Sequence, residues 1–121
     1  MEKWIKTSLQ NLRLEYLDLY LIHVPIGFEK VGDILHPFDE NGHIRLDNST
    51  NHVEIWAEME KQVKCGRTKA IGLSNFNISQ IKRILKNTKM KISMLQIELH
   101  VYFQQKELVK YFFLNLYYRI T

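Results

Sequence analysis

Apolar positions along this chain fall into two kinds of run that alternate. From about Glu2 to Asn11, Trp4, Ile5, Leu9 and Leu12 recur at helical spacing, which predicts a helix. Tyr16-Leu17-Asp18-Leu19-Tyr20-Leu21-Ile22-His23 is instead a short, almost continuous apolar run, closed by Pro25 and Gly27. Such a run without polar alternation suits a strand covered on both faces, as in a parallel sheet. Asp18 inside it needs a partner once buried, and reads as a structural hydrogen-bonding carboxylate before a catalytic one. Residues 24 to 51 show no periodicity and hold Pro25, Gly27, Gly32, Pro37, Asn41 and Gly42. A loop this long is either functional or a surface insertion.

Helical spacing returns from about His52 to Cys65, with Val53, Trp56, Met59 and Val63 on one side. Asn51 is placed to cap its start, with Glu54 three residues on, and Gly66 to end it in the left-handed region. Thr68 to Leu73 reads as a second strand, followed by Ser74-Asn75-Phe76. Asn77-Ile78-Ser79-Gln80 has the polar pattern of a helix start, and Ile78, Ile81, Ile84 and Leu85 supply an apolar face. Ile92 to Leu99 predicts a third strand, with a turn at His100 to Phe103. Gln104 to Phe112 predicts a last helix with Leu108, Val109 and Phe112 inward.

Strand–helix alternation implies an α/β fold with a parallel sheet, either doubly wound or barrel. No G-x-G-x-x-G follows any strand, which removes the best support for a nucleotide-binding doubly wound fold. No Walker-type loop, H-E-x-x-H or C-x-x-C occurs.

Composition narrows the picture only a little. At 121 residues the length allows one ordinary domain, and 45% hydrophobic with 25% charged residues is globular rather than disordered. The net charge of +4 permits a weak interest in anions. Its densest part, Lys82, Arg83, Lys86, Lys89 and Lys91, reads as a solvated helix end rather than a nucleic-acid patch. The single cysteine, Cys65, excludes an internal disulfide and reads as structural filler at a helix end. Neither a signal-peptide pattern nor an apolar stretch of about 20 residues is present, so a soluble, cytoplasmic protein without membrane attachment is expected.

Three successive strands end in polar residues: His23 after the first, Ser74 and Asn75 after the second, Gln96 and Glu98 in the third with His100 beyond. In a parallel barrel, chemistry gathers at the C-terminal strand ends. A histidine there can donate to a carbonyl oxygen. Ser74, Asn75 and Gln96 offer a hydroxyl and amides, and amides suit another amide such as a nicotinamide carboxamide. The same residues also read blandly, as a packing histidine, a turn with a cap, and a hydrogen-bonded strand glutamine. Glu98 and His100, joined by His23, would sketch a metal-dependent hydrolase, but lack a further ligand at matched spacing.

Three stretches then resemble one family. Tyr16 through Pro25 is similar to the "DLYLIHWP" stretch of aldo-keto reductases. Met59 through Phe76, ending Lys69-Ala70-Ile71-Gly72-Leu73-Ser74-Asn75-Phe76, is similar to their second signature, which ends in "GLSNF". Leu95-Gln96-Ile97-Glu98-Leu99-His100-Val101-Tyr102 resembles their "QVECHPY" stretch. The resemblance implies a (β/α)8 barrel that reduces aldehydes and ketones to alcohols with NADPH. Residues 1–112 would be its central part, about three consecutive parallel strands with their helices, and residues 113–121 a divergent tail. By motif, His23 matches the histidine that orients the substrate carbonyl, and Ser74, Asn75 and Gln96 match the residues that bind the carboxamide. The loop from Val24 to Asn51 corresponds to one bordering the substrate pocket. Val24 stands where many members have tryptophan, which removes an aromatic wall. Glu98 and His100 have counterparts without a metal role.

The family's catalytic tyrosine, lysine and aspartate match positions before Met1, and none of Tyr16, Tyr20, Tyr102, Tyr111, Tyr117 or Tyr118 stands in the corresponding motif. The segments that grip the adenosine 2′-phosphate are absent as well. An incomplete gene record or a mis-spliced end is the expected origin. Three strands cannot close an eight-stranded barrel, so marginal stability or self-association through the open edges is expected. The alternatives are an inactive short product that pairs with full-length reductase, and the metal-dependent hydrolase.

Overall fold

The structure, a computed structural model, describes residues 1–32 and 34–117. The chain runs α1 (Glu2–Leu12), β1 (Leu17–Ile22), α2 (His52–Lys64), β2 (Thr68–Ser74), α3 (Ile78–Asn87), β3 (Leu95–Gln96) and α4 (Lys106–Phe112), with a π-helical turn over Phe113–Tyr117. The strands form one parallel sheet in the order β1-β2-β3. Leu17 pairs with Thr68 and Ile22 with Leu73, and Ser74 pairs with Gln96.

The helix starts follow from local chemistry. The Asn51 side chain accepts from the Val53 amide and so satisfies one of the orphan donors of α2. Asn77 and Gln80 form a reciprocal capping box at α3. Gly66 has φ 71° and turns the chain from α2 toward β2, where a side chain would be strained.

The core lies between one face of the sheet and the helices. Trp56 and Met59 of α2, Ile81 and Ile84 of α3, and Ile92 pack on Ile71 and Leu73, with Phe76 completing the buried set. Tyr20, Ile22 and Leu95 border it from the strands, and Leu108, Tyr111 and Phe112 from α4. Two polar nodes went unforeseen, one half-buried and one buried. The Thr88 hydroxyl accepts from the Trp56 indole at 3.1 Å and the Met90 amide at 3.0 Å, and donates to the Glu60 carboxylate. Buried Gln62 accepts from Arg67 at 2.8 Å and donates to the Glu58 carbonyl.

Alternation places Leu17, Leu19, Leu21, Ala70, Gly72, Ser74 and Gln96 on the opposite face, which no helix covers. The expectation of a first strand covered on both faces is therefore corrected: Leu19 is exposed. Asp18 does have a partner, Lys69 at 2.9 Å, but on the surface rather than in the interior. The third strand is shorter than predicted. Its hydrogen bonds to β2 run from Ser93 to Gln96, and Ile97–Leu99 enter no strand pairing among the described residues. On α1 only Ile5 of the predicted stripe is buried; Trp4 and Leu12 are exposed. Cys65 is exposed at the end of α2 and fills no space in the core. The five basic residues Lys82 to Lys91 are all exposed.

The long loop is ordered by antiparallel bridges, Phe28 with Leu46 and Phe38 with Ile44, and by the Glu29–Arg45 ion pair at 2.7 Å. Among the described residues no helix is long and apolar enough to cross a membrane. Tyr118 to Thr121, the end of the tail expected to diverge, lie outside the described residues.

Candidate functional site

Parallel pairing carries the C-terminal ends of the three strands to one edge of the sheet. His23 follows the last residue of β1, Ser74 ends β2 with Asn75 next, and Gln96 ends β3. Ser74 and Gln96 are register partners and so share the open face. His23 stands two positions beyond Leu21, in the same phase of the alternation. The sheet thus brings together the four residues that the sequence matched to the carbonyl and carboxamide roles.

Asn75 joins them. Its backbone is left-handed, φ 63°, a conformation uncommon outside glycine and best tolerated by asparagine. Its amide N–H donates to the Gln96 carbonyl at 3.0 Å. Its side-chain Nδ2 donates to the His23 carbonyl at 3.0 Å and to Ser74 Oγ at 3.1 Å. Ser74 is buried, whereas His23, Asn75 and Gln96 are exposed. A cleft of about 220 Å³ opens beside Asn75, between Asn77, Glu98, Phe103 and Gln105.

Glu98 and His100 do meet, with the imidazole Nε2 at 3.0 Å from the carboxylate. They form a pair only. His23 does not join them, and among the described residues no group of three or more His, Cys, Asp or Glu is arranged to hold a metal ion.

Sequence reasoning missed His52. It opens α2 and packs edge-on against Phe76, ring centres 5.4 Å apart, directly behind the turn that carries Asn75. Its Nε2 is buried without a hydrogen-bond partner. Burial, with help from the Arg83 charge, pushes its pKa below the ordinary 6.5. The helical spacing that placed His52 carried no signal of this.

A model of the aldo/keto reductase family matches residues 1–115. The chain is 46% identical over 107 residues to aldo-keto reductase family 1 member A1 of Xenopus tropicalis, covering 88% of this chain and 32% of that protein. It is 49% identical over 111 residues to member A1-A of Danio rerio, covering 92% and 34%. Among solved structures, the aldose reductase of Schistosoma japonicum superposes with a TM-score of 0.87 at 50% identity, over 92% of this chain and 36% of that one. The aldose reductase of Giardia lamblia gives 0.85 at 33% identity, over 94% and 37%. The chain therefore spans about a third of the length of the relatives it matches.

Proposed function

Since the chain belongs to the aldo/keto reductase family, we propose that it is the central part of a reductase that converts aldehydes or ketones to alcohols with NADPH. The observation that carries this reading is the mouth at the strand ends, where hydroxyl and amide groups from β2 and β3 stand beside an exposed histidine from β1.

The donor set fits a nicotinamide carboxamide. Both Nδ2 hydrogens of Asn75 are engaged by protein, which leaves Oδ1 to accept from an amide NH₂. Ser74 Oγ accepts from Asn75 and keeps its own proton to donate. Gln96 offers a side-chain amide on the same face. A carboxamide presents the complementary donors and acceptor. When bound, NADPH supplies a hydride to the carbonyl carbon. His23 holds the substrate oxygen by a hydrogen bond and so fixes which face of the carbonyl meets the cofactor. Ser74, Asn75 and Gln96 fix the ring's orientation. The proton that completes the alcohol comes, on the family resemblance, from a tyrosine outside residues 1–121. This stretch alone is therefore proposed to orient without turnover, because general acids contribute about 10²–10⁴-fold.

Grafting residues 1–115 into the matching stretch of the Schistosoma japonicum aldose reductase tests the reading. The graft should oxidise NADPH in the presence of an aldehyde. His23→Ala in it should lower kcat by about 10²–10³, the usual cost of losing one donor to the reacting oxygen. Gln96→Ala should instead raise KM for NADPH. A folded graft that leaves NADPH unoxidised, or one indifferent to both substitutions, contradicts the proposal.

A further inference from the structure

Resting on that reading, we infer that Asn75 is a positioning residue for His23, coupling the group that orients the carbonyl to the residues that hold the nicotinamide. Three observations converge on it. First, Asn75 adopts φ 63°, one of only three non-glycine residues with positive φ among the described residues. Such a conformation costs free energy and persists where surrounding bonds enforce it. Second, that backbone lets one residue reach both neighbouring strands at once. The main chain donates to the Gln96 carbonyl on β3, while the side chain donates to the His23 carbonyl beyond β1, each at 3.0 Å. Third, the bond to His23 falls where ladder pairing has ended. The last registered pair of β1 with β2 is Ile22 with Leu73, so the backbone of His23 is tied across to β2 by a side chain instead of by the sheet.

The consequence is a division of labour within one amide. Its NH₂ is engaged by the protein and sets where the imidazole-bearing backbone lies. Its Oδ1 remains as the acceptor for a ligand. A carboxamide that binds Oδ1 polarises the same amide group that grips His23, so occupancy of one half of the site stiffens the other. Asn75 touches no reacting atom in this scheme.

The test uses the whole 121-residue chain and carbon-detected and amide NMR. In the unsubstituted chain a through-hydrogen-bond coupling should connect Asn75 Nδ2 with the His23 carbonyl carbon. Asn75→Gly keeps the left-handed backbone and the bond to Gln96 but deletes the side-chain donor. It should move the His23 carbonyl resonance upfield and average its imidazole signals, while Gln96 and the core resonances stay in place. Asn75→Asp, which also tolerates left-handed backbone, retains the shape and loses the donor, and should move the same His23 signals. A merely structural role would shift the core together with His23. Absence of the coupling, or His23 signals unchanged in the variant that folds, overturns the inference. Titration with reduced nicotinamide mononucleotide separates this from the reading beneath it. Response at Gln96 with an indifferent His23 in the variants sinks the positioning role alone. The His23 shifts without any response to the nucleotide leave the positioning role and sink the cofactor site.

Discussion

Gly72 sits in the middle strand, two residues before Ser74, where the chain has no room for a side chain. A Cβ built there lies 2.5 Å from the Met94 carbonyl oxygen, 2.6 Å from Leu21 Cδ2 and 3.1 Å from Met94 Cβ. The leucine methyl can rotate away. The carbonyl cannot, because it accepts from the Leu73 amide at 2.9 Å and forms part of the short pairing of β3. Gly72→Ala therefore overpacks a rigid contact, which costs about 1–3 kcal/mol. It also threatens to strip the bond from the amide of fully buried Leu73, a further ~1–3 kcal/mol. The narrower unfolded ensemble of alanine offsets about 0.4–1 kcal/mol. A net loss of about 3 kcal/mol follows. Urea unfolding followed by fluorescence of buried Trp56 reads it directly. At the usual slope of about 1–3 kcal/mol/M for small proteins, the midpoint should fall by about 1–3 M. Gly66→Ala is the control: nothing lies within 4 Å of its Cβ, so it pays only left-handed strain of about 1–2 kcal/mol. An unchanged midpoint for Gly72→Ala, or a smaller drop than for Gly66→Ala, would mean that the Met94 carbonyl yields to the added methyl.

Thr88→Val removes the acceptor of the Trp56 indole and the Met90 amide, and should cost about 1–3 kcal/mol in thermal unfolding, with a change in Trp56 emission. Asn77→Ala breaks the capping box of α3 and should cost about 1 kcal/mol, seen first as faster amide exchange in the first turn of that helix. His52 has a depressed pKa in the fold, so its contribution is fully present above 6.5. That contribution is lost as pH falls from 6.5 through the folded value, because the unfolded histidine takes up its proton first. His52→Phe, which also removes an unpartnered buried nitrogen, should flatten the pH dependence of the urea midpoint just below 6.5 relative to the unsubstituted chain.

Where a residue's environment is local, the sequence foretold it. The cap at Asn51, the helix start at Asn77–Gln80, the stop at Gly66 and the buried spacing of Trp56, Met59, Ile81 and Ile84 depend on neighbours a turn or two away, and all are found. Where burial depends on elements brought from afar, the pattern misled. The nearly continuous apolar run of β1 predicted a strand covered on both faces, yet its open face exposes Leu19 in this chain. The apolar stripe of α1 likewise predicts contacts that Trp4 and Leu12 do not make. At the site, residue types at strand ends were enough to nominate His23, Ser74, Asn75 and Gln96, because parallel strands bring their ends together. The left-handed turn at Asn75 and its bond to His23, 52 residues away, have no signature in spacing. Thr88 was missed for the same reason, since its partners Trp56 and Glu60 lie 32 and 28 residues away; Gln62 was missed although its partners Glu58 and Arg67 are close in the chain, because an amide within a helix announces no partner.

On the proposed function, the three strand ends form one half of a nicotinamide site. An amide ¹H–¹⁵N spectrum of the purified chain, recorded with and without NADPH, distinguishes the possibilities. A dispersed spectrum is expected in which Ser74, Asn75 and Gln96, including the side-chain amides of the last two, shift saturably while α2 and α3 stay still. A dispersed spectrum that is indifferent to NADPH at these residues, or shifts confined to the basic face from Lys82 to Lys91, would contradict it.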